Sequence, residues 1–300
     1  MQTDLNYALS QIWLALSNPL SAVMIVLVVL MMPVNWLLET YKWYLLLNSR
    51  THVSFGQCMK AILAGLAFSV NTPNRLGEYV GRVFYLDQKD RLAAANFSII
   101  SGIAQLFITF IMGSYSLIYL RDDFLKYTEQ NSTLLFMTSR LFIIAVILTG
   151  ISLIAIYFFY TELLQFIARI IPIKKIRPYL LHTSRPSGRL LIIVLWISFT
   201  RFIIFTTQYI LIWDALGVKF ESGGGFAIIS LIFLILAIVP TIAVAELGIR
   251  GKIALLIAGV FTQQWLAVTA GTVIIWLLNL ILPAIAGTIF LWNFKISNRS

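Results

Sequence analysis

Between two apolar runs the chain reads Val70-Asn71-Thr72-Pro73-Asn74-Arg75-Leu76-Gly77-Glu78-Tyr79-Val80-Gly81-Arg82. The surroundings make this break costly, because the 300 residues are 60% hydrophobic and 11% charged, with a mean hydropathy of +0.90. No soluble domain of that length needs so much apolar surface, so the chain is a polytopic membrane protein. Irregular backbone beside Arg75, Glu78 and Arg82 survives at bilayer depth only under a cover of protein or against a wet cavity. The fold must supply that cover, and function is sought there.

A net charge of +10 points to basic cytoplasmic loops and anionic lipid contacts, following the positive-inside rule. No basic soluble module accompanies it, so nucleic acid is not an expected partner. The single cysteine, Cys58, excludes an intramolecular disulfide and multi-cysteine metal sites, and reads as a small packed side chain. His52 and His182 lie in loops outside any ligand motif, so no metal or other cofactor is expected. Residues 1–18 lack the basic start of a secretory signal and carry Asp4 instead; they read as a retained interfacial amphipathic segment bearing Trp13.

The expected fold is an all-α polytopic membrane protein with about five full spans and two re-entrant helical hairpins in an inverted repeat. The spans are 21–47, 93–120, 134–160, 190–213 and 265–292. The first outreaches a ~30 Å hydrocarbon core, so its polar end, with Asn35, Glu39 and Lys42 beside Trp36 and Trp43, protrudes toward headgroups or a cavity. Glu39 and Lys42, three apart on one face, are expected to neutralise each other as a structural pair. The fourth span is interrupted at its centre by Arg201, and Pro283 is expected to kink the fifth.

Residues 56–70 with 73–86, and 226–239 with 246–261, form two pairs of pieces too short to cross comfortably. The first break gives Pro73, Gly77, Glu78 and Arg82; the second gives Pro240, Glu246, Gly248 and Arg250. Proline-interrupted short segments in matching places are a sequence pointer to a transporter binding site. Everything belongs to one transmembrane domain, 1–300: a first half 20–120, a connecting span 134–160, a linker 161–189 and a second half 190–293. The linker carries Arg169, Lys174, Lys175, Arg177, Arg185 and Arg189 between Pro172, Pro178 and Pro186. The single connecting span turns the second half over. With both pairs as hairpins, one surface receives twelve basic loop residues and the other three; with both crossing, the division is eight against seven. The positive-inside rule favours hairpins, with the linker and C-terminus cytoplasmic and the N-terminus outside.

Thr72 before Pro73 suits an N-cap followed by a first helical residue, so the outgoing arm would begin near mid-membrane. Its free N–H groups and dipole would attract an anion such as phosphate, and Arg75 adds a full charge within the first turn. Gly77 and Gly81 make a small-residue face for close approach, and Glu78 and Arg82 are an i,i+4 pair. Arg75, Arg82 and Arg201 would each cost about 2.5–3.5 kcal/mol at a helix centre, so they need partners or water. Two arrangements answer that need: a shared polar cavity with a substrate role, or pairing among Arg75, Arg82, Arg201, Glu78 and Glu246. Glu246, at the second tip, either exchanges a proton during transport or pairs with Arg201 or Arg250.

The aromatic-basic end of the first span (Lys42, Trp43), the segment Thr72-Pro73-Asn74-Arg75-Leu76-Gly77-Glu78 followed by Arg82, and the Pro240 to Glu246 break together resemble the flippase-like, lysylphosphatidylglycerol synthase transmembrane-region family. The resemblance covers about residues 36–291. It implies an integral protein of a bacterial or archaeal cytoplasmic membrane, related to the domain that moves aminoacylated phospholipid between leaflets. By motif match it singles out Pro73, Arg75, Gly77, Glu78 and Arg82, and more loosely Pro240, Glu246 and Gly248. The second break departs from the family's Pro-Gly-Gly, reading Pro240-Thr241-Ile242, which weakens the expectation of backbone contact there. Relatives often carry a further span before the tryptophan-basic motif, which is not expected in this chain. The soluble aminoacyl-transfer domain of full synthases is likewise not expected, and with it synthase activity.

The leading expectation is a transporter of an anionic phospholipid or polyprenyl-phosphate lipid, not an enzyme. Its substrate residues would be Thr72, Pro73, Arg75, Gly77, Glu78, Arg82, Arg201, Pro240, Glu246 and Arg250, and its partners membrane lipids with anionic headgroups. A non-transporting partner of a lipid-modifying enzyme is the alternative, for which small-residue faces and basic loops suffice. A membrane-embedded lipid enzyme is a third, against which stand the missing H-E-x-x-H, G-x-S-x-G and paired intramembrane aspartates.

Overall fold

The computed structural model describes residues 2–70, 72, 76–84, 86, 88, 90–127, 132–170, 186–220, 223–239 and 243–297. Its elements are all helices: α1 (Gln2–Leu16), α2 (Pro19–Asn48), α3 (Phe55–Ser69), α4 (Gly77–Phe84), α5 (Arg91–Tyr119), α6 (Arg121–Leu125), α7 (Ser132–Thr138), α8 (Arg140–Phe158), α9 (Tyr160–Ile170), α10 (Gly188–Ala215), α11 (Gly224–Ile238), α12 (Ala243–Ala258), α13 (Trp265–Trp276), a π-turn (Leu277–Ile281) and α14 (Leu282–Ser297). Among the described residues, five stretches are long and apolar enough to cross a membrane: α2, α5, α8, α10 and Trp265–Leu291. The expected spans are therefore present in the expected order.

Three boundaries differ from the sequence reading. The span expected over 134–160 breaks at Ser139, whose hydroxyl accepts the Phe142 N–H at 3.3 Å and so starts α8 afresh at Arg140. The linker expected from 161 is helical as far as Ile170, with Phe166 and Ile170 exposed on α9; the basic stretch 171–185, with His182, lies outside the described residues. The disturbance expected at Pro283 is a π-turn just before it, in which the Leu282 N–H bonds to the Leu277 carbonyl. Pro283 has no N–H to continue the ladder, and one residue of slack absorbs the loss.

The residues fall into two compact units, each discontinuous in sequence. One comprises Met1–Asn35, Thr109–Leu148 and Phe202–Leu282. In it α12 packs against both α11 and α13, and α1 against α13. Gly223, at φ 84°, takes a left-handed turn that an L side chain would strain, and releases the chain into α11. Phe202, Phe205 and Tyr209 on α10 meet Phe233 on α11 edge to face, and the Trp213 indole N–H reaches the Val268 carbonyl at 3.1 Å.

The other unit comprises Trp36–Ile108, Thr149–Arg201 and Pro283–Ser300. Here α3 opens with a capping box: Ser54 Oγ accepts the Gln57 N–H at 3.2 Å, and Gln57 Oε1 accepts the Ser54 N–H at 3.0 Å. Antiparallel α3 and α4 form a hairpin whose backbones touch. A Cβ built on Gly81 would lie 2.6 Å from Gly65 Cα, and one on Gly65 the same distance from the Glu78 carbonyl oxygen. The small-residue face foreseen at Gly77 and Gly81 is thus spent on α3. Cys58 is buried on α3, as a packed side chain should be.

A candidate anion site around Glu39

Four helices of the second unit bring charge to one point. Glu39 on α2 takes hydrogen bonds on both oxygens: Oε1 from Arg82 Nη2 of α4 at 2.9 Å and from Ser101 Oγ of α5 at 3.4 Å, Oε2 from Lys42 Nζ at 2.9 Å and from Arg201 Nη1 of α10. Arg82 also holds Glu78, one turn back on α4. Lys42 Nζ lies 3.4 Å from both the Ser101 carbonyl and Ser198 Oγ. Gln105 ties α5 to α10, accepting from Arg201 Nη1 at 3.2 Å and donating to the Ser198 carbonyl at 3.4 Å.

Two tryptophans line the same charges. The Arg82 guanidinium lies 5.9 Å from the Trp43 ring centroid and that of Arg201 lies 5.8 Å from Trp36, within the range of cation–π attraction. The Trp43 N–H is used by Ser98 Oγ at 2.9 Å. Trp36 Nε1 and Arg82 Nε are buried with no hydrogen-bond partner. Side-chain exposure is 1% for Lys42, 4% for Arg82, 6% for Glu39 and 7% for Arg201, against 21% for Glu78. Among the described residues, Lys42, Arg82 and Arg201 thus gather on Glu39 and Glu78 with their charges held largely out of water.

This corrects the reading of Glu39 and Lys42 as a self-contained pair: Glu39 is the hub on which Arg82 and Arg201 also converge. Ser98, Ser101, Gln105 and Ser198 were not anticipated. The signal for the first three was there, since positions 98, 101 and 105 put three polar side chains on one face of a largely apolar helix.

The other sequence candidates are placed as follows. Thr72 precedes α4 (Gly77–Phe84): its Oγ1 accepts the Gly77 N–H at 2.7 Å and lies 3.2 Å from the Ser69 carbonyl. A cap on Gly77 leaves no room there, because a Cβ on Gly77 would collide with the Phe68 carbonyl. Pro73, Arg75 and Pro240 lie outside the described residues. Glu246 and Arg250 belong to the first unit, where Arg250 Nη2 holds Glu246 Oε1 at 2.5 Å and Nη1 lies 3.3 Å from the Tyr209 hydroxyl. Arg250 is therefore a partner of Glu246, the structural option left open by the sequence. Among the described residues, no three His, Cys, Asp or Glu side chains gather to hold a metal ion.

Neither a curated protein nor a solved structure matches the chain significantly. The family model described as "Lysylphosphatidylglycerol synthase TM region" matches residues 6–287, a stretch that contains both charged clusters. With nearly its whole length matched, this multi-pass membrane protein belongs to the lysylphosphatidylglycerol synthase transmembrane-region family.

Proposed function

We propose that the protein moves an anionic, phosphate-bearing lipid between the leaflets of the cytoplasmic membrane, and that it is a transporter and not an enzyme. The observation that carries this reading is the buried gathering of Lys42, Arg82 and Arg201 around Glu39 and Glu78. Burying three cations within a membrane domain is costly for a purely structural network, whereas a phosphate site needs cationic donors held out of water. Arg82 and Arg201 would hold the phosphate, joined by Arg75, while Glu39 and Glu78 keep the side chains of Arg82 and Arg201 in place when the site is empty.

The two short helix pairs, α3–α4 and α11–α12, would enter as re-entrant hairpins from opposite faces of an inverted repeat. Arg140 heads α8 and so joins the poorer loop side, yet the basic residues still divide twelve against four, with the linker and C-terminus cytoplasmic. Reconstitution with a fluorescent phosphatidylglycerol tests the function. Lys42→Met removes one cation while leaving Arg82 and Arg201 on Glu39 and Glu78, so the fold should persist and leaflet exchange should fall at least tenfold. Exchange at the wild-type rate in that variant would sink the proposal.

A further inference from the structure

The polar stripe on α5 has a gap in it. Ser98, Ser101, Gly102 and Gln105 follow one another at helical spacing, so all four share a face. Three of them reach the cluster with their side chains: Ser98 Oγ takes the Trp43 N–H at 2.9 Å, Ser101 Oγ lies 3.4 Å from Glu39 Oε1, and Gln105 Oε1 accepts from Arg201 Nη1 at 3.2 Å. The fourth, Gly102, has no side chain, and a tyrosine from α4 takes the space. A Cβ built on Gly102 would lie 2.5 Å from Tyr79 Oη but 3.5 Å from Tyr79 Cζ. The notch in α5 therefore admits one phenol hydroxyl, in the middle of the residues that hold Glu39, Trp43 and Arg201.

Tyr79 reaches the same cluster from its own helix. It lies three residues before Arg82 on one face of α4, and is within electrostatic reach of Glu78, Arg82 and Glu39. Yet its hydroxyl makes no hydrogen bond among the described residues. An O–H kept in a membrane domain without an acceptor forfeits a hydrogen bond, so the place suits an acceptor that arrives from outside. Exposure points the same way. Glu39, Lys42, Arg82 and Arg201 are buried, whereas Glu78, Tyr79, Gly102 and Gln105 are partly exposed. Where the cluster is open, Tyr79 borders the opening.

We infer that the Tyr79 hydroxyl is a substrate-binding group, donating to an anionic oxygen of the phosphate that Arg82 and Arg201 hold, and that Gly102 is the positioning residue that admits it. A phenol suits this place because it is neutral: it supplies a donor for a charged oxygen without adding another cation to those already crowded there. The assignment rests on the reading that the cluster takes the phosphate of a transported lipid, and adds a donor at its mouth and the notch that aims it.

The test uses the full chain in nanodiscs of zwitterionic phosphatidylcholine, titrated calorimetrically with dihexanoyl phosphatidylglycerol and with inorganic phosphate. Tyr79→Phe keeps the ring and deletes the hydroxyl, and should weaken dihexanoyl phosphatidylglycerol about tenfold, the effect of one hydrogen bond to a charged group. Gly102→Ala should weaken it comparably with little change in thermal stability, because the atom displaced is the free end of a side chain. The double variant separates binding from packing. Once the hydroxyl is gone the new methyl meets Cζ at 3.5 Å, an ordinary contact, so Gly102→Ala should then change affinity by less than about twofold. In wild-type protein one tyrosine Cζ carbon resonance, the one missing from Tyr79→Phe, should move on binding. Phosphate binding as tightly as the lipid would make the ligand a free anion, and tighter lipid binding a membrane lipid; both keep the hydroxyl as donor when Tyr79→Phe weakens the binding. Unchanged affinity in Tyr79→Phe with no resonance shift, or a Gly102→Ala loss of equal size in both backgrounds, would overturn this inference and leave transport standing. If neither ligand binds the wild type, the inference and the transport reading fall together.

Discussion

At the scale of single residues, Glu39 decides the most. Its carboxylate is the shared acceptor of Lys42, Arg82 and Arg201, so Glu39→Gln would leave like charges facing one another in a buried site. Breaking a buried ion pair from one side typically costs about 3–5 kcal/mol, and a large fall in thermal stability in detergent is expected, well beyond that of Lys42→Met. Equal stability of the two variants would remove Glu39 from its central place. Glycines give a second contrast. Gly81→Ala puts a methyl group against Gly65 Cα, the Phe68 ring and the Ala64 carbonyl, and should cost about 1–3 kcal/mol by prying α4 from α3. Gly248→Ala meets nothing within 4 Å on α12 and should be neutral or gain up to about 1 kcal/mol, the ordinary preference of a helix for alanine. Thermal unfolding of both, with opposite signs expected, checks the packing of the first hairpin.

At the scale of elements, the short helices differ in what holds them. The hairpin α3–α4 is fastened by backbone-to-backbone contact, and the last helix joins it where Gly287 approaches the Leu63 carbonyl. Helix α1 has another kind of environment: Leu9, Trp13 and Leu14 are more than half exposed, although α1 packs against α13. An apolar surface of that kind on a 15-residue helix suits the headgroup–acyl boundary. Trp13 fluorescence, isolated as the difference between wild type and Trp13→Phe, should be quenched more by lipids brominated near the glycerol than by lipids brominated near the chain ends. The reverse order would place α1 in the hydrocarbon core. The amphipathic reading of residues 1–18 required only periodicity; the position of the π-turn did not follow from Pro283 in the same way, because a helix can meet a proline by kinking or by adding a residue.

At the scale of the molecule, the proposed topology makes one strong demand. A single crossing, α8, separates the loop holding Lys126 from the chain before α10. In a background with Cys58 replaced by serine, Lys126→Cys should react with an impermeant maleimide from outside the cell and Ser187→Cys only after the membrane is opened. Labelling of both from one side would reverse the hairpin assignment, since the loop-charge tally depends on it.

How much of this was legible in the sequence follows from the physics of each feature. Apolar length set the five spans and the two short pairs, because desolvation of a helix is a local property that each stretch carries alone. The Glu78 and Arg82 pair and the Glu246 and Arg250 pair were equally local, fixed by helical spacing within one element. What the sequence could not determine was the meeting of Glu39, Lys42, Arg82 and Arg201, up to 162 residues apart, around one carboxylate. Spacing along α2 favoured the nearest partner, Lys42, and only the packing of α4, α5 and α10 against α2 brings in the two arginines that share the Glu39 carboxylate. Hydrophobic pattern tells each helix that it must be buried; which buried charges it shares is decided by its neighbours, because an ion pair in low dielectric is a property of distance in space and not of distance in the chain.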